Sequence, residues 1–122
     1  MSHDTRRVVV TGMGINTPIG DDLDTFCDNL LAGKSAITKW NFLKNPDVYS
    51  KVGGDLSEYD YKAKVAALKE TLDPVLHKRM RTLVTKAPFS TKISALVASD
   101  AWLDSGLDPS GDPARRATWV GG

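Results

Sequence analysis

Arg7-Val8-Val9-Val10-Thr11-Gly12-Met13-Gly14 decides the fold. Three consecutive β-branched apolar residues that run into a glycine turn read as a short strand buried on both faces. Strands of that kind sit in the middle of parallel sheets, with helices covering both sides. Near the other end, Ala117-Thr118-Trp119-Val120 reads as a second buried strand, leading into Gly121-Gly122. Several helical segments and one long irregular stretch lie between them. Strand, helices, strand is the opening of an α/β layer fold with a parallel sheet.

The intervening segments carry local signals. Asn16, Pro18 and Gly20 punctuate a loop after the first strand. Asp21 and Asp22 can cap a helix in which Leu23, Phe26, Cys27, Leu30 and Leu31 form one apolar face, with Gly33 as its left-handed C-terminal residue. Residues 34–59 have little periodicity, with Trp40, Phe42, Tyr49 and Tyr59 scattered among polar residues, and Lys51–Leu56 holds a short strand at most. Such a stretch reads as a packed or functional surface loop. Asp60 caps a helix to about Leu72, with Val65, Leu68 and Leu72 on one side. Asp73-Pro74 starts the next, along which Val75, Leu76, Met80, Leu83 and Val84 are apolar. Pro88 breaks or kinks the pattern, and a stripe of Ile93, Leu96, Val97, Ala101 and Leu103 then runs to Gly106-Leu107.

Both strands read as central, and edge strands are missing. The pattern therefore predicts that residues 1–122 are the first part of a larger domain, without an internal boundary. The competing reading is a small, mostly helical α+β domain that pairs the two strands with each other.

Composition narrows the function. The chain has 122 residues, 41% of them apolar, with 16 Lys+Arg against 15 Asp+Glu and a net charge of +1. That balance argues against a nucleic-acid partner, which needs a strong basic excess. One cysteine forms no internal disulfide. No apolar run approaches the ~18 residues of a membrane span, and MSHDTRRVVV lacks a secretory signal's apolar core. A soluble, cytoplasmic protein without a membrane partner is the expectation.

Few residues offer chemistry. Gly12-Met13-Gly14 invites a dinucleotide-binding reading, but Thr17 stands at the third fingerprint position and Pro18 interrupts an immediate helix. A glycine turn leaving a buried strand fits better. Cys27 lies on an apolar stripe beside Asp24 and Asp28, which disfavour a thiolate, so it reads as a packed core residue. His3 and His77 have no metal-ligand spacing. No metal or cofactor is expected. Residues 60–86 carry seven Lys/Arg against three acids, a local excess of four, and Lys78, Arg79 and Arg81 form a compact cationic patch with His77. Most charge runs are solvated helix faces. The functional alternative is docking of an acidic partner.

The sequence resembles the opening of β-ketoacyl synthases. Arg7-Val8-Val9-Val10-Thr11-Gly12-Met13-Gly14 and Thr17-Pro18-Ile19-Gly20 resemble the family's R-V-V-V-T-G-x-G and S/T-P-x-G. Leu30-Leu31-Ala32-Gly33-Lys34-Ser35-Ala36-Ile37 is similar to its L-L-x-G-x-S-G-I segment, with Ala36 in place of the usual Gly. Lys78-Arg79-Met80 resembles the R-K-M-type helix, and Ala101 through Leu107 its A-x-x-D-S/A-G-L helix end. Pro88 and Trp119 are departures. The resemblance implies a thiolase-like fold, five-layered in the complete enzyme, and a homodimer or a heterodimer with a chain-length partner. It implies condensation of an acyl thioester with malonyl-acyl carrier protein, in fatty acid or polyketide biosynthesis. It places every catalytic residue after Gly122, so Cys27 inherits no role. It also implies that Lys78 and Arg79, with Arg81 adjacent, help dock the acidic carrier protein. The insert from Trp40 to Asp60 is closer to stand-alone synthases of polyketide clusters, some of which only decarboxylate malonyl-carrier protein. A non-catalytic interaction module is the alternative of a different class.

Overall fold

Three aspartates start three helices for one physical reason. In a computed structural model, which describes residues 7–41, 43, 45 and 47–121, Asp22 caps α1 (Leu23–Leu31) by accepting from Thr25 N at 2.8 Å. Asp60 caps α2 (Tyr61–Ala67) by accepting from Ala63 N at 2.9 Å. Asp73 caps α3 (Pro74–Lys86) by accepting from Val75 N and Leu76 N, with Pro74 as the first helical residue. Each carboxylate satisfies N–H groups that a first helical turn leaves without partners. Gly33 and Gly106 close α1 and α4 (Phe89–Ser105) with φ of 71° and 58°, the left-handed region that costs glycine least. Pro88 separates α3 from α4: it has no N–H to continue the first helix, and it holds Ala87 in extended conformation.

The core sits where α2, α3 and α4 meet. Val65, Leu68, Leu72, Val84 and Leu96 are buried, and Tyr59, Tyr61, Met80, Leu83 and Leu103 pack around them. A 3₁₀ turn, Leu68–Glu70, carries the chain from α2 to Leu72. Lys92 lies over the Tyr61 ring at 4.3 Å and adds a tie between α4 and α2. Val75 and Leu76 belong to the predicted stripe yet are 59% and 45% exposed. They fall in the first turn of α3, outside the buried cluster.

The two predicted strands are a correction. Among the described residues, Arg7–Asn16 and Ala117–Gly121 have no regular secondary structure. Val8, Val9 and Val10 are 95%, 73% and 79% exposed, and Trp119 is 95% exposed. A strand buried on both faces needs a neighbour along each edge and a layer against each face. No described segment supplies either, so the apolar pattern is present without the ladder that would make it a strand.

The strands that do form lie in the largely irregular stretch, and one of them falls within Lys51–Leu56, where the sequence allows a short strand. β1 (Ile37–Lys39) pairs antiparallel with β2 (Val52–Gly54), with Ile37 opposite Gly54 and Lys39 opposite Val52. Trp40 fixes this pairing: its backbone N donates to Lys51 O and its indole Nε1 to Ser50 O. Among the described residues the result is a small α/β unit of four α-helices and a two-stranded antiparallel sheet. His3, Arg6, Phe42 and Gly122, which the sequence places in the N-terminal lead, the irregular stretch and the last turn, lie outside the described residues.

Candidate functional site

Helix geometry separates the cations of α3 from its apolar side. At about 100° per residue, Val84, Met80 and Leu83 face the core, Lys78 and Arg81 lie toward the opposite side, and Arg79 stands beside Leu83; all three cations are exposed. Among the described residues, none of the three has a carboxylate within salt-bridge distance. Their charge is therefore available to an outside group. His77 does not join them. It is half-buried, and its Nε2 lies 3.0 Å from Val65 O, which joins α3 to α2. The predicted patch is thus three side chains rather than four.

Beside these cations α3 and α4 leave an apolar cleft of about 300 Å³. Leu72, Met80, Leu83, Ala98 and Trp102 line it, Leu76 stands at its exposed margin, and Arg79 contributes the one charged side chain of its lining. Arg116 lies over the Trp102 ring at 5.6 Å and donates to Asp108 O, so the loop after α4 braces this tryptophan.

A second cluster holds the glycine loop in place. Lys64 Nζ lies 3.1 Å from Asp100 Oδ2 and 3.8 Å from Asp21 Oδ2, and donates to Asp21 O at 3.1 Å. Tyr59 OH donates to Asp21 Oδ2 at 2.9 Å, and Met13 N donates to Asp104 Oδ2 at 2.9 Å. Burial, reinforced by the Asp21 hydrogen bond, pushes the Tyr59 phenol well above its ordinary value, so it remains a donor. Burial also raises the Asp100 carboxyl. The nearby Lys64 pulls the other way, but burial, aided by Asp21 and Asp22, prevails. Lys64 is thus engaged internally and contributes nothing to the α3 face. Among the described residues no grouping of His, Cys, Asp and Glu is arranged to hold a metal ion.

Gly12 and Gly14 press on α4. A side chain at Gly12 would run into the backbone of Ala101 and Ser105, and one at Gly14 into that of Val97 and Ala101. These glycines serve close backbone approach, with α4 where a phosphate-binding turn would need open space. Cys27 is a correction. It is exposed, as are Leu30 and Leu31 at 56% and 87%. The α1 stripe exists, but the described core forms on the other three helices. Periodicity shows what can be buried, and not what arrives to bury it.

The N-terminal domain of β-ketoacyl synthases matches residues 5–122. The chain belongs to the β-ketoacyl synthase family. It is 31% identical over 118 residues to a granaticin polyketide putative β-ketoacyl synthase of Streptomyces violaceoruber, covering 96% of this chain and 25% of that protein. It is 37% identical over 75 residues to the chloroplastic 3-oxoacyl-[acyl-carrier-protein] synthase II of Arabidopsis thaliana, covering 62% and 13%. It is 30% identical over 116 residues to a polyketide biosynthesis malonyl-ACP decarboxylase of Bacillus subtilis, covering 95% and 24%. The chain spans about a quarter of the length of most of these relatives. No solved structure matches it significantly. Among the described residues, no helix of this family member is long and apolar enough to cross a membrane.

Neither the cleft nor the Lys64 cluster was visible in the sequence. Asp21, Lys64 and Asp100 stand far apart along the chain and follow no spacing rule. The cleft exists only because α3 and α4 pack side by side.

Proposed function

We propose that the chain is the N-terminal segment of a β-ketoacyl synthase of fatty acid or polyketide biosynthesis. Such an enzyme joins an acyl thioester to malonyl-acyl carrier protein. The malonyl C–C bond to the carboxylate breaks, CO2 leaves, and the resulting carbanion attacks the acyl carbonyl as the thiol departs. The observation that carries this reading is the family match across residues 5–122, together with relatives named as a polyketide β-ketoacyl synthase and a 3-oxoacyl-[acyl-carrier-protein] synthase. In this reading Val8–Val10 and Trp119–Val120 enter a parallel sheet of a five-layered, thiolase-like fold, and the complete enzyme is a dimer. Their exposure in the described chain supports that assignment.

The role assigned to this segment is docking. Lys78, Arg79 and Arg81 attract the acidic carrier protein and orient it on α3. Their exposure and lack of internal salt bridges support this role. Exposed charges of one sign steer encounter and select partners more than they add affinity.

A second reading, malonyl-carrier-protein decarboxylation alone, is favoured by the relative bearing that name at 30% identity. One experiment separates them. The full-length protein is incubated with malonyl-acyl carrier protein and an acyl-carrier-protein donor, and the products are identified by mass. A β-ketoacyl product supports condensation, acetyl-carrier protein alone supports decarboxylation, and unchanged substrates would overturn both.

A further inference from the structure

We infer that residues 13–33 form a polar-latched flap, which opens as a unit from the platform of α2, α3 and α4, with Tyr59, Lys64 and Asp104 as its latch. A segment is held in its fold by the apolar surface it buries and the protected hydrogen bonds it shares, and segments poor in both open first. Every buried residue of the described chain lies between Val65 and Leu96. From residue 13 to residue 33 none is buried, and α1 contributes no side chain to the core.

The segment is coherent within itself. Thr17 and Gly20 exchange N–H···O bonds of 2.9 and 3.1 Å. Asn29 Nδ2 donates to Ile19 O and ties α1 back to this turn. Gly20 lies so close to Phe26 that a side chain there would meet its backbone. The ties to the platform are of another kind. Met13 N donates to Asp104 on α4. Tyr59 OH and Lys64 Nζ both hold Asp21, and Lys64 is held in turn by Asp100 on α4. Gly12 and Gly14 let the backbone approach α4 but bring no side chain to bury. The seam is incompletely filled, since a cleft of about 290 Å³ lies between Met13, Ile15 and Leu23 on one side and Lys64, Asp100 and Leu103 on the other. Asn16 Oδ1 is buried without a hydrogen-bond partner among the described residues, a cost that opening to water removes. Once released, α1 has nine residues, too few to persist as an isolated helix. Opening therefore unfolds it, and its amides report the event.

The test is hydrogen–deuterium exchange of the full-length protein, read by mass spectrometry on peptides from residues 13–33 and from α3 and α4. Tyr59→Phe keeps the ring and removes the hydroxyl that holds Asp21. Lys64→Met with Asp100→Asn removes the bridge without leaving a buried charge unpaired. Asp104→Ala removes the acceptor for Met13 N at an exposed helix position. In wild type, α1 is expected to exchange about tenfold or more faster than the centres of α3 and α4. Each variant should speed exchange of residues 13–33 about tenfold further, as the loss of a hydrogen bond to a charged group implies. Exchange in α3 and α4 should stay as in wild type. Where a variant also speeds α3 and α4, the platform itself is damaged, and Asp104→Ala then decides. Exchange of α1 in step with α3 and α4 in wild type would show one cooperative unit and overturn the flap. Wild-type exchange of residues 13–33 in both Tyr59→Phe and Asp104→Ala would overturn the latch.

Discussion

Leu96→Ala tests the platform on which the α3 face rests. Leu96 is 1% exposed, the most deeply buried residue of the cluster it forms with Val65, Leu68, Leu72 and Val84. The other members come from α2, the turn after it and α3, so Leu96 is the buried side chain by which α4 joins the core. The substitution deletes the three outer carbons of leucine. At about 0.8 kcal/mol per buried methylene, the transfer term alone is about 2.4 kcal/mol. The void left behind adds to it, because neighbours drawn from separate helices collapse only in part, and the expected loss is about 3–4 kcal/mol. Val75→Ala is the control. It removes an apolar group from the same region at 59% exposure and is expected to cost less than about 0.5 kcal/mol. Urea titration followed by far-ultraviolet circular dichroism measures both. A loss below about 1 kcal/mol for Leu96→Ala, or equal losses for the two variants, would refute the placement of α4 at the centre of the core.

Three other outcomes follow from single contacts. Asp73→Ala removes the acceptor for Val75 N and Leu76 N, and should lower stability by about 1 kcal/mol with helicity lost at the start of α3, read by denaturation and circular dichroism. Gly14→Ala forces a methyl group against the α4 backbone and should cost about 1–3 kcal/mol, whereas an unchanged melting temperature would mean the loop does not touch α4. Asp100 has a carboxyl raised above its ordinary 3.8 by burial. A group whose folded value is the higher one favours folding fully below its unfolded value and loses that contribution as pH rises through the folded one. The stability of wild type relative to Asp100→Asn should therefore increase as pH falls from about 7 toward about 4, and a pH-independent difference would contradict this.

What the sequence revealed about the fold was what a single turn encodes. Asp22, Asp60 and Asp73 act on N–H groups two or three residues away, and Pro88, Gly33 and Gly106 act through their own backbones. The buried strands required partners far along the chain or outside it, and the Val8–Val10 pattern carries no information about where those lie. Of the β1–β2 pair, only the short strand allowed within Lys51–Leu56 was legible; β1 and the pairing were not. β1 and β2 are three residues each, too short to show an alternating pattern, and their register depends on Trp40 reaching Lys51 and Ser50 and on Asp55 accepting from Asn41 N. At the candidate site, Lys78, Arg79 and Arg81 were legible because exposure is the ordinary condition of such residues. The inward turn of His77 depends on Val65 O, and the cleft on the pairing of two helices, and neither is written locally.

The most direct test of the account is the carrier-protein kinetics of Lys78→Glu with Arg79→Glu in the full-length protein. Each exposed ion pair contributes on the order of 0.2–1 kcal/mol, and reversal replaces attraction by repulsion. The account predicts that KM for the carrier-protein substrate rises about five- to thirtyfold at low salt, with kcat unchanged and the difference shrinking as salt is added. An unchanged KM at low salt would contradict it.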